Sequence, residues 1–281
     1  MIREPCVAGM FYPGDFNSLL DSIDDLFSRV GDVEINESIR CISSVVVPHA
    51  GYVYSGITAS YAFKQLLYDR LPETIVIIGP NHTGIGREIS VSTSNKWNTP
   101  LGDVDVDVEF CEELDKVDFN VTLDESAHIR EHSIEVELPF LQYIANVNNS
   151  NFKIVPIIIG KQELKLCKNL AKSIYDVQNK LNRDCIVIAS TDLTHYEDSE
   201  TAEYLDKKVI NSIEDMDSKQ LIMDIIDYDI SMCGYGPTIT AITYAQLMNA
   251  YNSKCLRYSN SGQVSGDYDS VVGYTSAIIK K

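Results

Sequence analysis

All five histidines of this 281-residue chain lie in four short segments. The segments are Val45-Val46-Val47-Pro48-His49-Ala50-Gly51, Ile77-Ile78-Gly79-Pro80-Asn81-His82, His128-Ile129-Arg130-Glu131-His132 and Ser190-Thr191-Asp192-Leu193-Thr194-His195. Each sits beside an apolar, strand-like run or a helix start. Imidazole binds metals and carries protons near neutral pH. In an open α/β sheet, ligands bind at the carboxyl ends of the strands. Histidines placed there converge although far apart in sequence.

His49 and His82 follow β-branched runs and are wrapped by Pro, Gly and small residues. They read as two metal ligands, or as one ligand and one base. Taken singly, each reads as a loop histidine satisfied by backbone; it is the matched setting of the two that favours the functional reading. Asp192 lies three residues before His195, a spacing at which a carboxylate can orient the ring and raise its basicity. The pair suits a general base. The same Asp could cap a turn at the strand exit. Cys233 sits in Met232-Cys233-Gly234-Tyr235-Gly236-Pro237, before a helical stretch. Thiol pKa falls near a helix N-terminus, favouring a ligand or nucleophile; a small buried side chain at a tight turn is the plainer reading.

His128-Ile129-Arg130-Glu131-His132 matches the H-x-x-E-H pattern of inverted zinc peptidases, which requires both histidines on one helix. Ser133, however, reads as an N-cap, which starts the helix after the motif. Glu135 and Glu137 would then place charge where the helix dipole favours it. His132 is expected to face the pocket, and the role of His128 stays open. Tyr12, Tyr52, Tyr54, Trp97 and Tyr196 are loop aromatics that could wall a pocket or simply pack.

The elements that must position these groups follow from periodicity. Strands are expected at Ile42–Val47, Glu73–Gly79, Phe152–Ile159, Cys185–Ala189, Lys254–Ser259 and Val271–Ile279. Ile89–Ser94 and Val104–Val108 are expected to pair around Asn98–Gly102. Helices are expected at Phe16–Val30, Thr58–Leu67, Gln162–Leu181, Glu200–Ile213, Ser218–Ile226 and Pro237–Tyr251. A further helix runs from Ser133 to about Ala145, where Pro139 predicts a kink or a late start. The alternation indicates a single α/β domain over residues 1–281, with a mostly parallel or mixed sheet flanked by helices.

Composition narrows the function classes. The chain carries 23 basic and 41 acidic residues, a net charge of −18 at pH 7. That surface disfavours nucleic acid and anionic membranes. No apolar run approaches the roughly 18 residues of a membrane span, and the N-terminus lacks a signal-peptide core. A cytoplasmic location is expected. Seven scattered cysteines without a C-x-x-C argue against a disulfide framework or zinc knuckle.

The ordered motifs resemble the Memo family (mediator of cell motility; protein B of the AmmeMemoRadiSam system). They are Pro5-Cys6-Val7-Ala8-Gly9-Met10-Phe11-Tyr12-Pro13-Gly14, Pro48-His49-Ala50-Gly51-Tyr52, Gly79-Pro80-Asn81-His82, Thr99-Pro100-Leu101-Gly102, Glu131-His132-Ser133-Ile134-Glu135, Ser190 to Tyr196, Cys233-Gly234 and Ser270-Val271-Val272-Gly273-Tyr274. The resemblance implies a fold like that of class III extradiol dioxygenases, a three-layer phosphorylase/hydrolase-like sandwich. It implies a mononuclear metal, iron or copper before zinc, on His49, His82 and Cys233. His195 would be the acid or base, supported by Asp192. His132, Glu135, Asn81, Tyr54, Tyr196 and Tyr12 would line the pocket. Cys233 stands where a glutamate would complete the dioxygenases' two-His, one-carboxylate triad, so the set is softer. The implied function is a metal-dependent redox enzyme acting on a small molecule or peptide, with a radical SAM protein and a small companion as partners. A non-catalytic peptide-binding module is the alternative, and a zinc hydrolase built on H-x-x-E-H the weaker one.

Overall fold

Runs of β-branched residues make the central strands, and strands covered on both faces need no polar alternation. In a computed structural model describing residues 1–31 and 40–281, the order is β1 (Ile2–Arg3), α1 (Phe16–Ser28), β2 (Ile42–Val47), α2 (Ile57–Asp69), β3 (Thr74–Pro80), β4 (Ile89–Val91), β5 (Lys96–Thr99), β6 (Gly102–Val106) and α3 (Val108–Val117). It continues with β7 (Val121–Leu123), α4 (Leu138–Val147), β8 (Lys153–Ile159), α5 (Leu164–Leu181), β9 (Cys185–Ser190), β10 (His195–Glu197) and α6 (Ser199–Glu214). The chain ends with α7 (Ser218–Asp227), α8 (Tyr235–Leu247), β11 (Asn252–Asn260), α9 (Gly262–Ser265) and β12 (Val271–Lys280).

The sheet runs β1-β5-β6-β8-β3-β9-β2-β12-β10, with β11 on β12 and β4 bridging β7 and β8. Its centre, β6-β8-β3-β9-β2, is parallel, and β12 joins β2 antiparallel. The sheet is therefore mixed around a parallel core. Every residue of β2, β3 and β9 is buried. One helix group, α1, α2 and α4, packs together and sets α2 on β2 and β12, and a second, α3, α5, α7 and α8, packs together and sets α3 on β8 and α8 on β9 and β2. Aspartates cap α1, α3, α6 and α7 by accepting first-turn N–H groups.

Register aligns the strand exits. Val47 pairs with Ser190 and Ile78 with Ala189. His49, His82 and Asp192 each lie two residues past a strand end, so they leave the same edge together. This is why three sequence-distant segments share one pocket.

Three local expectations are corrected. Ile89–Val91 does not pair with Val104; it adds to β8 and β7, and the hairpin at Asn98–Gly102 is closed by β5 and β6. Trp97 is therefore a fully buried strand residue, not a loop aromatic. Ser133 does not cap a helix. Residues Glu135–Glu137 form one 3-10 turn, and α4 starts at Leu138 with Pro139 in its first turn, where the missing N–H costs nothing. The late start leaves residues 128–134 irregular. His128 and His132 thus do not share a helix, and the zinc hydrolase reading falls with that geometry.

Candidate metal centre

His49 leaves β2 and is 2 % exposed. Its backbone N–H donates to Asp192 Oδ1 at 2.9 Å. Its Nδ1 lies 2.8 Å from Ser190 Oγ, and that hydroxyl donates to the Ser133 carbonyl at 2.6 Å. With the hydroxyl proton used there, His49 Nδ1 must carry the proton. Nε2 then keeps its lone pair and faces Cys233 Sγ at 3.4 Å. Burial, and then the neighbouring His132 and His82, hold the His49 pKa well below its ordinary value. The ring is neutral, as a ligand must be.

His82 follows β3 and is half-exposed. Glu131 fixes it twice, accepting from its backbone N–H at 2.7 Å and facing its Nδ1 at 2.9 Å. Burial opposes a charged His82, yet the carboxylate keeps its pKa above the ordinary value. Glu131 is itself buried, which works against its charge. His82 and the backbone N–H of Ser133 nevertheless hold its pKa down to about 2. Such a carboxylate–histidine pair fixes the tautomer and leaves Nε2 available.

Cys233 reaches the pocket from the turn before α8. Gly234 permits the approach, since a Cβ there would meet the Ser190 carbonyl and the Thr191 side chain. The Asp192 backbone N–H donates to Sγ at 3.2 Å. The thiol pKa does not fall as the helix position suggested: burial pushes it up, and the Asp192 charge adds to the rise. Only a cation makes this sulfur a thiolate. One ligand atom from each of His49, His82 and Cys233 lies within 4.8 Å of the others. Nitrogen and sulfur ligands at metal-bond lengths and a tetrahedral angle are about 3.6 Å apart, close to the 3.4 Å between Nε2 and Sγ. The donor set fits a soft or borderline metal ion.

His82, Glu131 and His132 form a second cluster within the same limit. It does not offer the same chemistry. The two Glu131 oxygens already face Nδ1 and N–H of His82 and accept from the N–H groups of His132 and Ser133, at 2.7 to 3.0 Å. Oε1 faces three of these groups and Oε2 one, so Glu131 is committed to orienting His82 and the turn at residues 131–133. The His132 ring stacks on His82 at 4.8 Å and meets Phe11 edge-on at 4.8 Å. Burial lowers its pKa against the pull of Glu131.

His195 opens β10. Its Nδ1 donates to the Ser231 carbonyl at 3.0 Å, and its N–H to Ser231 Oγ at 2.7 Å. Ser231, and not Asp192, therefore orients the ring; Asp192 reaches His195 only through its electrostatic field. The Asp192 carboxyl is instead spent on the backbone N–H groups of His49 and Ala50, and burial lifts its pKa to about 6. Tyr196 follows with a left-handed φ of 66° and is 79 % exposed.

The other sequence candidates have partners of their own. Tyr12 Oη donates to Glu135 Oε1 at 2.6 Å, and Glu135 also accepts from Cys6 and Val7 N–H at 2.8 and 3.0 Å and pairs with Arg3. They anchor the N-terminal segment. Asn81 Oδ1 accepts from Thr83 and Gly84 N–H at 3.0 and 2.8 Å, shaping its own loop. Tyr54 is 41 % exposed. His128 is buried against Trp97, its Nε2 3.2 Å from the Ser90 carbonyl.

A family model described as "Memo-like protein" matches residues 3–278. The chain belongs to the Memo family. Its relatives include a MEMO1 family protein of Methanobrevibacter smithii, 44 % identical with all of both chains covered. Another MEMO1 family protein, from Thermococcus onnurineus, is 43 % identical over all of both chains. One from Methanocaldococcus jannaschii is 44 % identical over 99 % of each. The Memo chain also resembles the crystal structure of an uncharacterised Escherichia coli K12 protein, with TM-score 0.55, 11 % identity, and coverage of 84 % of this chain and 99 % of that one. That likeness supports the fold alone. No helix among the described residues is long and apolar enough to cross a membrane.

Two residues that organise the Memo site gave no motif of their own. Ser190 reads as the end of a strand, and Glu137 as helix-start charge. The usable signal was crowding: Glu131, Ser133, Glu135 and Glu137 alternate with Ile134, Val136 and Leu138. Polar residues so flanked must find internal partners once the stretch is buried.

Proposed function

We propose that this Memo-family protein is a redox enzyme whose mononuclear metal ion is held by His49, His82 and Cys233. The observation that carries the reading is the lone-pair count. His49 Nε2 and Cys233 Sγ lie 3.4 Å apart, and each ring nitrogen on the far side of His49 and His82 is tied by a protein partner. Iron or copper suits two imidazoles and a thiolate better than the oxygen-loving ions do, and zinc is the redox-silent third candidate. When bound, iron or copper supplies one-electron chemistry at coordination positions left open by three protein ligands.

The chain's own groups do the rest. Glu131 and Ser190 fix the two rings. The Asp192 N–H, 3.2 Å from Sγ, stabilises the thiolate. His195 has Nδ1–H committed to Ser231, so Nε2 is the atom that takes or returns a proton. His82, half-exposed, marks the open side by which a small molecule or peptide enters. A radical SAM protein and a small companion are proposed as the partners, and the cytoplasm as the place.

Elemental analysis of anaerobically purified and reconstituted protein tests the reading. About one metal per chain is expected in the wild type, with none in a His49→Ala, Cys233→Ala double variant. A thiolate-to-metal absorption band should vanish with Cys233. Absence of iron, copper and zinc from the reconstituted wild type would overturn the proposal and favour a non-catalytic binding module.

A further inference from the structure

Ser190 Oγ has three polar neighbours and only one proton. The Ser133 carbonyl oxygen lies at 2.6 Å, His49 Nδ1 at 2.8 Å and Glu137 Oε1 at 2.9 Å. A hydroxyl offers one donor and two lone pairs. A carbonyl can only accept, so the shortest contact takes the proton. The other two neighbours must then both donate into Ser190. His49 does so with Nδ1–H. Glu137 can do so only as a carboxylic acid.

We infer that Glu137 is a neutral, hydrogen-donating acid in the native protein, and that through Ser190 it is a positioning residue locking His49 with its Nε2 lone pair toward Cys233. Were Glu137 a carboxylate, it would claim the Ser190 proton. Two oxygens would then face each other at 2.6 Å without a proton between them, in a buried site. The surroundings agree with the neutral form. Glu137 is 1 % exposed, and no Lys, Arg or His among the described residues pairs with it. The charged group facing it is Asp192, of like sign, and the Tyr52 phenol beside it donates to the Val136 carbonyl at 2.8 Å. Burial raises the Glu137 pKa well above the ordinary carboxyl range, against the Ser190 contact and with the Asp192 charge. The N-terminus of α4, at whose cap position Glu137 sits without a capping hydrogen bond, pulls the other way, but a helix dipole is weaker than the cost of burying a lone ion.

The consequence for metal binding rests on the proposed His49, His82, Cys233 centre; the protonation state does not. Infrared difference spectra of metal-free wild type against Glu137→Gln at neutral pH should show loss of a protonated-carboxyl stretch. Loss of a carboxylate band instead would overturn the inference. Nitrogen-15 spectra of the wild type, which need no variant, should show His49 protonated on Nδ1; protonation on Nε2 would overturn it equally. In metal titrations, Glu137→Gln should keep wild-type affinity, because its amide N–H replaces the acid O–H. Glu137→Met, which donates nothing, should bind about 10–100-fold more weakly. Equal weakening in both variants would defeat the positioning role. A wild type that binds no metal would defeat the metal proposal while the infrared and nitrogen-15 results still decide the state of Glu137.

Discussion

Two polar clusters are built from the same stretch, residues 128–137, and they end differently. In the first, Arg3 donates to the carbonyls of His128 and Glu131 at 3.1 and 2.6 Å, pairs with Glu135 and lies 4.4 Å over Trp97. Glu135 accepts from Tyr12 and from two backbone N–H groups. Charge here is matched to charge, and nothing remains for a ligand. In the second, around His49, His82 and Cys233, each ring is tied on one side and left with an unspent lone pair on the other. A saturated buried network specifies a structure. A network with lone pairs left over leaves room for a guest, which is the basis of the proposed centre. Burial alone does not tell the two apart, because Glu131 and Glu135 are both buried to within 1 %.

That contrast can be broken from either side. The largest effect is expected in the saturated cluster. Glu135→Ala leaves Arg3 buried and unpaired, and should cost about 3–5 kcal/mol in urea unfolding while the folded fraction still loads metal to the same stoichiometry.

Asp192 provides the next test. Its pKa is raised to about 6 by burial. A carboxyl with a folded pKa above its unfolded one gives stability that is complete below the unfolded value and lost as pH rises through the folded value. Metal-free wild type should therefore lose up to about 3 kcal/mol between roughly pH 4 and 7 relative to Asp192→Asn. Unfolding curves of the two proteins that stay parallel across that window would count against burial raising the Asp192 pKa.

Glu131 has the opposite sign. Its folded pKa is lowered to about 2, so its contribution is complete above about pH 4.5 and disappears as pH falls toward 2. Glu131→Gln should flatten that acid limb in the metal-free protein. The same variant should weaken metal binding about 10–100-fold by freeing the His82 ring. Smallest of all is Tyr196→Ala, which should shift stability by no more than about 0.5 kcal/mol because the ring is 79 % exposed; calorimetry showing a larger loss would mean that it packs as part of the pocket.

The sequence made the frame of this pocket readable because strands covered on both faces must be written in Val and Ile, and β2, β3 and β9 are. It showed His49, His82 and His195 because few other side chains leave such strands for chemical reasons. It misled where two signals competed. Ser133 has the composition of a cap, but Pro139 cannot sit deep in a helix, and the proline set the start of α4. Val104–Val108 reads as a strand partner for Ile89–Ser94, yet Gly102 closes the tighter hairpin onto Lys96–Thr99, and Val108 opens a helix capped by Asp107. The fixing partners were unreadable for a different reason. Glu131 with His82, Ser231 with His195 and Glu137 with Ser190 meet across 49, 36 and 53 residues. No local spacing records contacts made only by the tertiary fold.

The separation of Cys233 from His49 is 184 positions. Synthesis from the N-terminus at about 5–20 residues per second therefore brings out the two imidazoles well before the sulfur. In that interval a nascent chain carries the two nitrogens of the proposed centre without its sulfur. At the proposed centre, discrimination between metals would begin only when the turn before α8 docks, at the end of folding.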